Sequence, residues 1–220
     1  MRLYDFFNIL CSIPKTLRFN FHYFPFRTAL RLPVFVSRKT YLRELRGEVH
    51  LHGEISTAMV KIGFGDVGHY DSRRSRSIWQ VSGKVVFEGN AGIGHGSKLS
   101  VRGELRIGRS FNMTAESTIV CAEKTVFGDD CLLSWGIVVM DTDEHPIYNQ
   151  DGSRVNPNRP VIVGNHVWIG CNCTILKGSE LPDGTIVAAG AVTSSRYTEK
   201  DTVIGGNPAT VIKSGMYWQH

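Results

Sequence analysis

Aliphatic residues recur at every sixth position from Val163 onward. Val163-Gly-Asn-His-Val-Trp, Ile169-Gly-Cys-Asn-Cys-Thr and Ile175-Leu-Lys-Gly-Ser-Glu run without a break and pass the beat to Leu181 and Val187. The same beat appears upstream as Phe87, Ile93, Leu99, then Ile107, Met113, Ile119, then Phe127, Leu133, Val139. Those triplets start at 87, 107 and 127, so three hexads plus two residues make a coil of 20 residues. Four positions after the aliphatic stands, in most hexads, a small residue such as Ala91, Ser97, Gly103, Ser117, Cys131, Cys173, Ser179 or Ala191. This pairing predicts a narrow coil with both side chains inside and with glycine or polar residues at the bends. No coil of this kind buries its apolar face alone, so the expectation is an all-β solenoid stabilised by stacking.

The beat breaks once within this stretch. A fourth triplet is due at 147 but begins at 163, which puts 16 additional residues between Val139 and Val163. The inserted run, Asp141-Thr-Asp143-Glu-His145-Pro-Ile-Tyr, sets a histidine among carboxylates where the chain leaves a rigid scaffold. Loops on such scaffolds are where chemistry concentrates. Histidine takes a proton near neutral pH, and a carboxylate holding one ring nitrogen turns the other toward a substrate. Asp143 falls on the inward fifth slot of its hexad and Asp141 lies two residues before it. Alternation then predicts both on one side of the strand, with one of them orienting His145.

The rest of the chain is less regular. Met1 to Cys11 reads as a short amphipathic helix ended by Pro14, and Phe19 to Val36, interrupted by Pro25 and Pro33, reads as extended or turning. β-Like alternation begins near Leu45, and Ile62-Gly-Phe-Gly-Asp-Val is the first recognisable hexad. Asp71-Ser-Arg-Arg-Ser-Arg76 reads as an exposed basic loop, and Gly205-Gly-Asn-Pro208 as the turn that ends the coil before a closing helix or strand. The resulting division is a cap segment at 1–60, a β-helix at 61–198 with its catalytic loop at 140–160, and a closing segment at 199–220.

Composition sharpens this picture in two places. The net charge of +5 comes from residues 1–46, which carry nine Lys or Arg against Asp5 and Glu44 and ten of the 22 aromatics. A basic aromatic segment suits either a cap over the open end of the solenoid or between subunits, or contact with anionic lipid headgroups. No recognition motif accompanies the charge, so no nucleic-acid partner is expected. The 220 residues, 42% hydrophobic, suit one domain. No run approaches a spanning helix and the N-terminus is a poor signal peptide, so the expected location is cytoplasmic, with peripheral contact at the inner face of the plasma membrane. Five cysteines, without a second pair at metal-ligand spacing, argue against a disulfide framework or a zinc ribbon.

The hexads, the His145-Pro146-Ile147 loop, the re-entry Val163-Gly-Asn-His-Val-Trp-Ile-Gly170 and the closing Gly206-Asn-Pro-Ala209 resemble the hexapeptide-repeat acyltransferases over roughly residues 60–213. Within that family they look most like the sugar O-acetyltransferases of bacterial capsule, O-antigen and exopolysaccharide biosynthesis. The resemblance implies a left-handed parallel β-helix, a handedness opposite to the default of parallel crossovers. It also implies a homotrimer binding acetyl-coenzyme A between subunits, with no metal required. His145 would act as general base on a saccharide hydroxyl that attacks the thioester directly, the oxyanion being held by a backbone amide.

Matching positions imply cofactor contacts at Trp168, Cys171, Ala189, Ser194, Arg196 and Lys213. Thr193-Ser-Ser-Arg196 departs from the family's Val-Thr-Lys: Ser194 keeps the hydroxyl, and Arg196 is the nearest candidate for the missing lysine charge. Thr114 stands where galactoside and maltose acetyltransferases carry a sugar-binding asparagine, which argues against a simple galactoside acceptor. The competing readings are N-acetylation of an amino sugar, a γ-class carbonic anhydrase using His95, His145 and His166, and an inactive structural solenoid. The second lacks the paired-histidine spacing of its family, and the third leaves His145 without a purpose.

Overall fold

The computed structural model describes residues 3–220; from Val34 onward its strands, parallel except for the last pair, stack in three faces. Nine strands form the first face, seven the second and six the third, and successive strands of the chain step from face to face. This is the solenoid expected from the repeat, and it fits the left-handed parallel β-helix that the resemblance implies. Register pairs the repeat residue on residue: Ile62, Ile93, Met113, Leu133, Ile169, Val187 and Ile204 form one column up the first face. Trp79, Leu99, Ile119, Val139 and Ile175 form a second column, and Phe87, Ile107, Phe127, Val163 and Leu181 a third. All of these side chains are buried. Each contributes about 1.5–3 kcal/mol on burial, so the columns are the main source of cohesion along the solenoid.

The fifth slot of the hexad is buried at the first two corners of each coil, small or, as at Phe111, Ile137 and Val167, large; at the third corner it is buried only at Ser179, in the 18-residue coil from Val163 to Leu181. Ala91, Ser97, Ser117, Cys131, Cys173, Ser179 and Ala191 are buried, whereas Glu123 and Asp143 are exposed. The two residues that lengthen a 20-residue coil fall between the second and third faces, as between Lys98–Val101 and Glu104–Ile107. They displace the fifth slot from the interior.

Two coils precede the first triplet found from the sequence. Val34–Val36, Tyr41–Glu44 and Glu48–Leu51 form the first, and Val60–Phe64, Ile78–Val81 and Lys84–Phe87 the second. The β-helix therefore begins at Val34, inside the stretch expected to be cap.

The cap itself is a helix, α1 (Leu3–Tyr23), followed by the short α2 (Phe26–Ala29). Met1 and Arg2, the start of the expected N-terminal helix, lie outside the described residues. α1 continues through Pro14, where a stop was expected. The lost backbone bond is outweighed by docking, because every fourth side chain on one face of α1 bonds the edge strand. Asn20 Nδ2 donates to the Val34 carbonyl (2.6 Å) and its Oδ1 accepts from Val34 N–H (3.1 Å). Thr16 Oγ1 accepts from Val36 N–H (3.0 Å), and Ser12 Oγ from Arg38 N–H (2.9 Å).

An open sheet edge would otherwise expose this row of unpaired groups. Phe19, fully buried, meets Trp79 edge-on at 5.1 Å and closes the core. Phe7, Leu10, Leu17 and Phe21 remain exposed on the outer side of α1. Among the described residues no helix is long and apolar enough to cross a membrane. At the other end Thr202–Gly206 and Ala209–Ser214 pair antiparallel, which makes the closing element a strand.

Candidate active site

The 16-residue break is real in register. Phe127 pairs with Val163 and Val139 with Ile175, while neighbouring coils pair residues 20 apart. The excess leaves the corner between the second and third faces, from the end of Val138–Met140 to the start of Val161–Val163. Its tip is a small hairpin, with Tyr148 bridged to Arg154 and Gly152 at positive φ in the turn.

The carboxylates do different work from that expected. Asp141 is fully buried, and its side chain accepts from three consecutive backbone N–H groups of the preceding coil: Ala122 (2.7 Å), Glu123 (2.9 Å) and Lys124 (2.7 Å). It staples the base of the loop. Asp143 is exposed, accepts from Lys177 Nζ (2.5 Å) and Asn156 Nδ2 (2.7 Å), and so lies across the strand direction from Asp141. Those bonds, that of Lys177 foremost, hold the Asp143 carboxyl below the usual carboxylate range. Neither aspartate bonds the His145 imidazole. Alternation does not carry past Met140, because the chain leaves the sheet there.

His145 is exposed at the foot of the hairpin, its position fixed through its backbone. Its N–H donates to the Asp143 carbonyl (2.7 Å) and its carbonyl accepts from Asn156 Nδ2 (2.9 Å). Asn156, nearly buried, also accepts from Ile147 N–H (2.6 Å). Lys177 donates further to the carbonyls of Asn156 and Pro157. Asn156 and Lys177 thus organise the loop, and sequence reasoning passed over both. Asn156-Pro-Asn inside the insertion was the one available hint.

The residues matched to cofactor contacts gather elsewhere. Trp168 is half-exposed on the first face, with Nε1 donating to Ser134 Oγ (3.1 Å). Cys171 and Ala189 lie on the corner between the first and second faces. Backbone bonds there run from Asn172 to Trp135 and from Gly190 to Cys171, both 2.9 Å, so the corner residues stack coil on coil. Ala189 and Gly190 leave this corner bare, and a methyl group built on Gly190 would meet nothing within 4 Å. A slender acyl-carrying arm fits such a surface.

Ser194, Arg196 and Lys213 are exposed toward the C-terminal end, and Arg196 pairs with Glu180 at 3.0 Å. Thr114 belongs to the first face, where its buried Oγ1 has no partner among the described residues. Within one chain, His145 and the corner bearing Cys171 and Ala189 therefore lie on different edges of the prism. His95, His145 and His166 stand at three different corners and do not converge within a chain.

No family model matches the chain. A polysialic acid O-acetyltransferase of Neisseria meningitidis is 41% identical over 104 residues, 47% of this chain and 48% of the relative. One from Escherichia coli O1:K1 / APEC is 27% identical over 124 residues, 56% and 38% of the two. The chain thus spans about half or less of the length of these two curated relatives. A putative lipopolysaccharide biosynthesis O-acetyl transferase of Escherichia coli K12 is 29% identical over 143 residues, covering 60% of this chain and 72% of the relative. Among solved structures, the polysialic acid O-acetyltransferase OatWY superposes with a TM-score of 0.50 and 27% identity, over 82% of this chain and 87% of that one. In sequence and in fold the chain is therefore similar to bacterial polysaccharide O-acetyltransferases.

Proposed function

We propose that this protein transfers an acetyl group from acetyl-coenzyme A to a hydroxyl of a bacterial surface polysaccharide. The observation that carries the reading is His145, held by its backbone on the large excursion from the coil, in a chain similar to polysaccharide O-acetyltransferases. His145 takes the proton of the acceptor hydroxyl as the oxygen bonds to the thioester carbonyl carbon. A backbone amide stabilises the oxyanion. As the C–S bond breaks, the imidazolium returns the proton to the departing sulfur, leaving an O-acetyl ester, free thiol and neutral His145. Asp141 and Asp143 act as positioning residues that fix the loop. Trp168, Cys171 and Ala189 receive the pantetheine arm, Ser194, Arg196 and Lys213 lie toward the phosphates, and Thr114 faces the acceptor.

The chain works as a homotrimer in which the loop of one copy meets the corner of the next. The separation of His145 from Cys171 and Ala189 within one chain supports this. The same reading keeps the protein on the cytoplasmic side, with the exposed stripe of α1 turned to the membrane.

His145→Ala should lower kcat about a thousandfold, the middle of the range for a general base, with acetyl-coenzyme A affinity unchanged. Co-assembled His145→Ala and Ala189→Trp chains should regain part of the activity that each lacks alone. Wild-type rates in His145→Ala would refute the chemistry, and no recovery in mixed assemblies would refute the shared site.

A further inference from the structure

A second excursion leaves the solenoid unassigned. Leu51 pairs with Phe87 across 36 residues, the same span as Phe127 to Val163. Part of that excess is residues 65–77, between Val60–Phe64 and Ile78–Val81, at the corner between the first and second faces. This is the corner that carries Trp135, Cys171 and Ala189 farther along. The arm is tied to it: His69 meets Trp135 edge-on at 4.5 Å, and Ser75 Oγ donates to Glu116 Oε1 at 2.5 Å.

Beneath the arm is a cavity of about 560 Å³ whose lining includes Phe64, Asp66, Tyr70, Arg73, Lys39 and His95. A smaller one of about 260 Å³ shares Phe64 and Asp66 and reaches Thr114. His95 is 2% exposed, and among the described residues neither ring nitrogen has a partner. Such a group costs about 1–3 kcal/mol unless something pairs with it. Burial pushes the His95 imidazole down, so at neutral pH it presents one donor and one acceptor, the pattern that matches a hydroxyl. Tyr70 and Phe64 supply apolar walls, Asp66 an acceptor, and Arg73 and Lys39 positive charge.

Resting on the acetyltransferase reading, we propose that this cavity is a remote acceptor subsite, holding a carboxylate-bearing saccharide residue of the polymer away from the one being acetylated. With neighbouring strands about 4.8 Å apart, His95 lies two coils, about 10 Å, from the level of Trp135. Occupancy there adds to binding of a long acceptor and is out of reach of a single sugar. Loss of such uniform binding raises KM with kcat unchanged.

The test uses the full chain, with a sialic acid hexamer, sialic acid monomer and a neutral dextran hexamer as probes, in calorimetry and in acetyl transfer. His95→Phe should raise the dissociation constant and KM for the sialic acid hexamer about tenfold, one lost hydrogen bond in a buried site. The kcat, and all constants for the monomer, should stay within about twofold. Tyr70→Ala, on the arm outside the core, should do the same and covers the case that His95→Phe fails to fold. Unchanged hexamer binding in both variants, equal losses for hexamer and monomer, or equal affinity for dextran would overturn the subsite. His145→Ala should still bind the hexamer while losing transfer. Wild-type transfer by His145→Ala would instead overturn the general-base mechanism and leave the binding arms to judge the subsite.

Discussion

Asp141 offers the sharpest test of how the loop is held. Replacing it by alanine removes one fully buried carboxylate and strands the N–H groups of Ala122, Glu123 and Lys124, which it accepts at 2.7–2.9 Å. A hydrogen bond to a charged group contributes about 1.5–3 kcal/mol, and a buried donor left unpaired costs about 1–3 kcal/mol. The three share one acceptor and do not add independently. The expected loss for Asp141→Ala is therefore about 3–5 kcal/mol, at the upper end of single substitutions. Asp141→Asn keeps one oxygen and turns an amide donor toward the remaining N–H, so its loss should be smaller, about 1.5–3 kcal/mol.

Urea unfolding at fixed protomer concentration measures this directly, because assembly would otherwise shift the midpoint with dilution. The midpoint should fall with the slope unchanged. The thermal midpoint should drop by roughly 2–4 °C per kcal/mol for a chain of this size. In variants that remain folded, kcat should fall through misplacement of His145 while the affinity for acetyl-coenzyme A holds. A stability of Asp141→Ala within about 1 kcal/mol of wild type, below the loss expected for a single charged bond, would refute the staple. Lost activity with full stability would move Asp141 from positioning into the chemistry.

Three further outcomes follow from the cysteines and the C-terminal tail. Burial pushes the Cys121 and Cys131 thiols up to about 12 and raises that of Cys173. In the native protein at pH 8 an aromatic disulfide reagent should therefore titrate Cys11 and Cys171 only, with the other three reacting on unfolding. Cys171→Ala should keep transfer, since direct attack needs no acyl-enzyme, and a dead variant would refute that route. His166 bonds Asp130 at 2.6 Å and stacks on Trp218 at 4.4 Å, and the Asp130 bond raises its pKa. A raised folded pKa stabilises fully below the unfolded value near 6.5 and is lost as pH climbs through the folded one. Amide exchange at residues 216–220, corrected for intrinsic rates, should accelerate between pH 6 and pH 9, and His166→Gln should remove that dependence. Equal protection across this range in wild type would refute the linkage.

What the sequence discloses, and what it withholds, has one physical origin. The columns through Ile93, Leu99 and Phe87 were readable residue by residue because every stacked coil imposes the same packing demand on the same slot. A demand repeated in register becomes a period. The upstream coils obey it too, but Val36 pairs with Ile62 across 26 residues and Leu51 with Phe87 across 36, so no constant spacing survives to be seen. The helix through Pro14 was hidden for a related reason: its stability comes from Ser12, Thr16 and Asn20 docking on a strand that local propensity cannot know about.

Functional elements fall in this second class by necessity. A binding or catalytic loop must leave the repeat to present polar groups, and those groups are then fixed by partners distant in sequence. Lys177 bonds Asp143 from 34 residues away, and Ser75 bonds Glu116 from 41. Periodicity can mark where such a loop departs, as it did for His145. Which carboxylate serves it depends on side-chain geometry outside the sheet, where the two-residue alternation that predicted a shared face for Asp141 and Asp143 no longer applies.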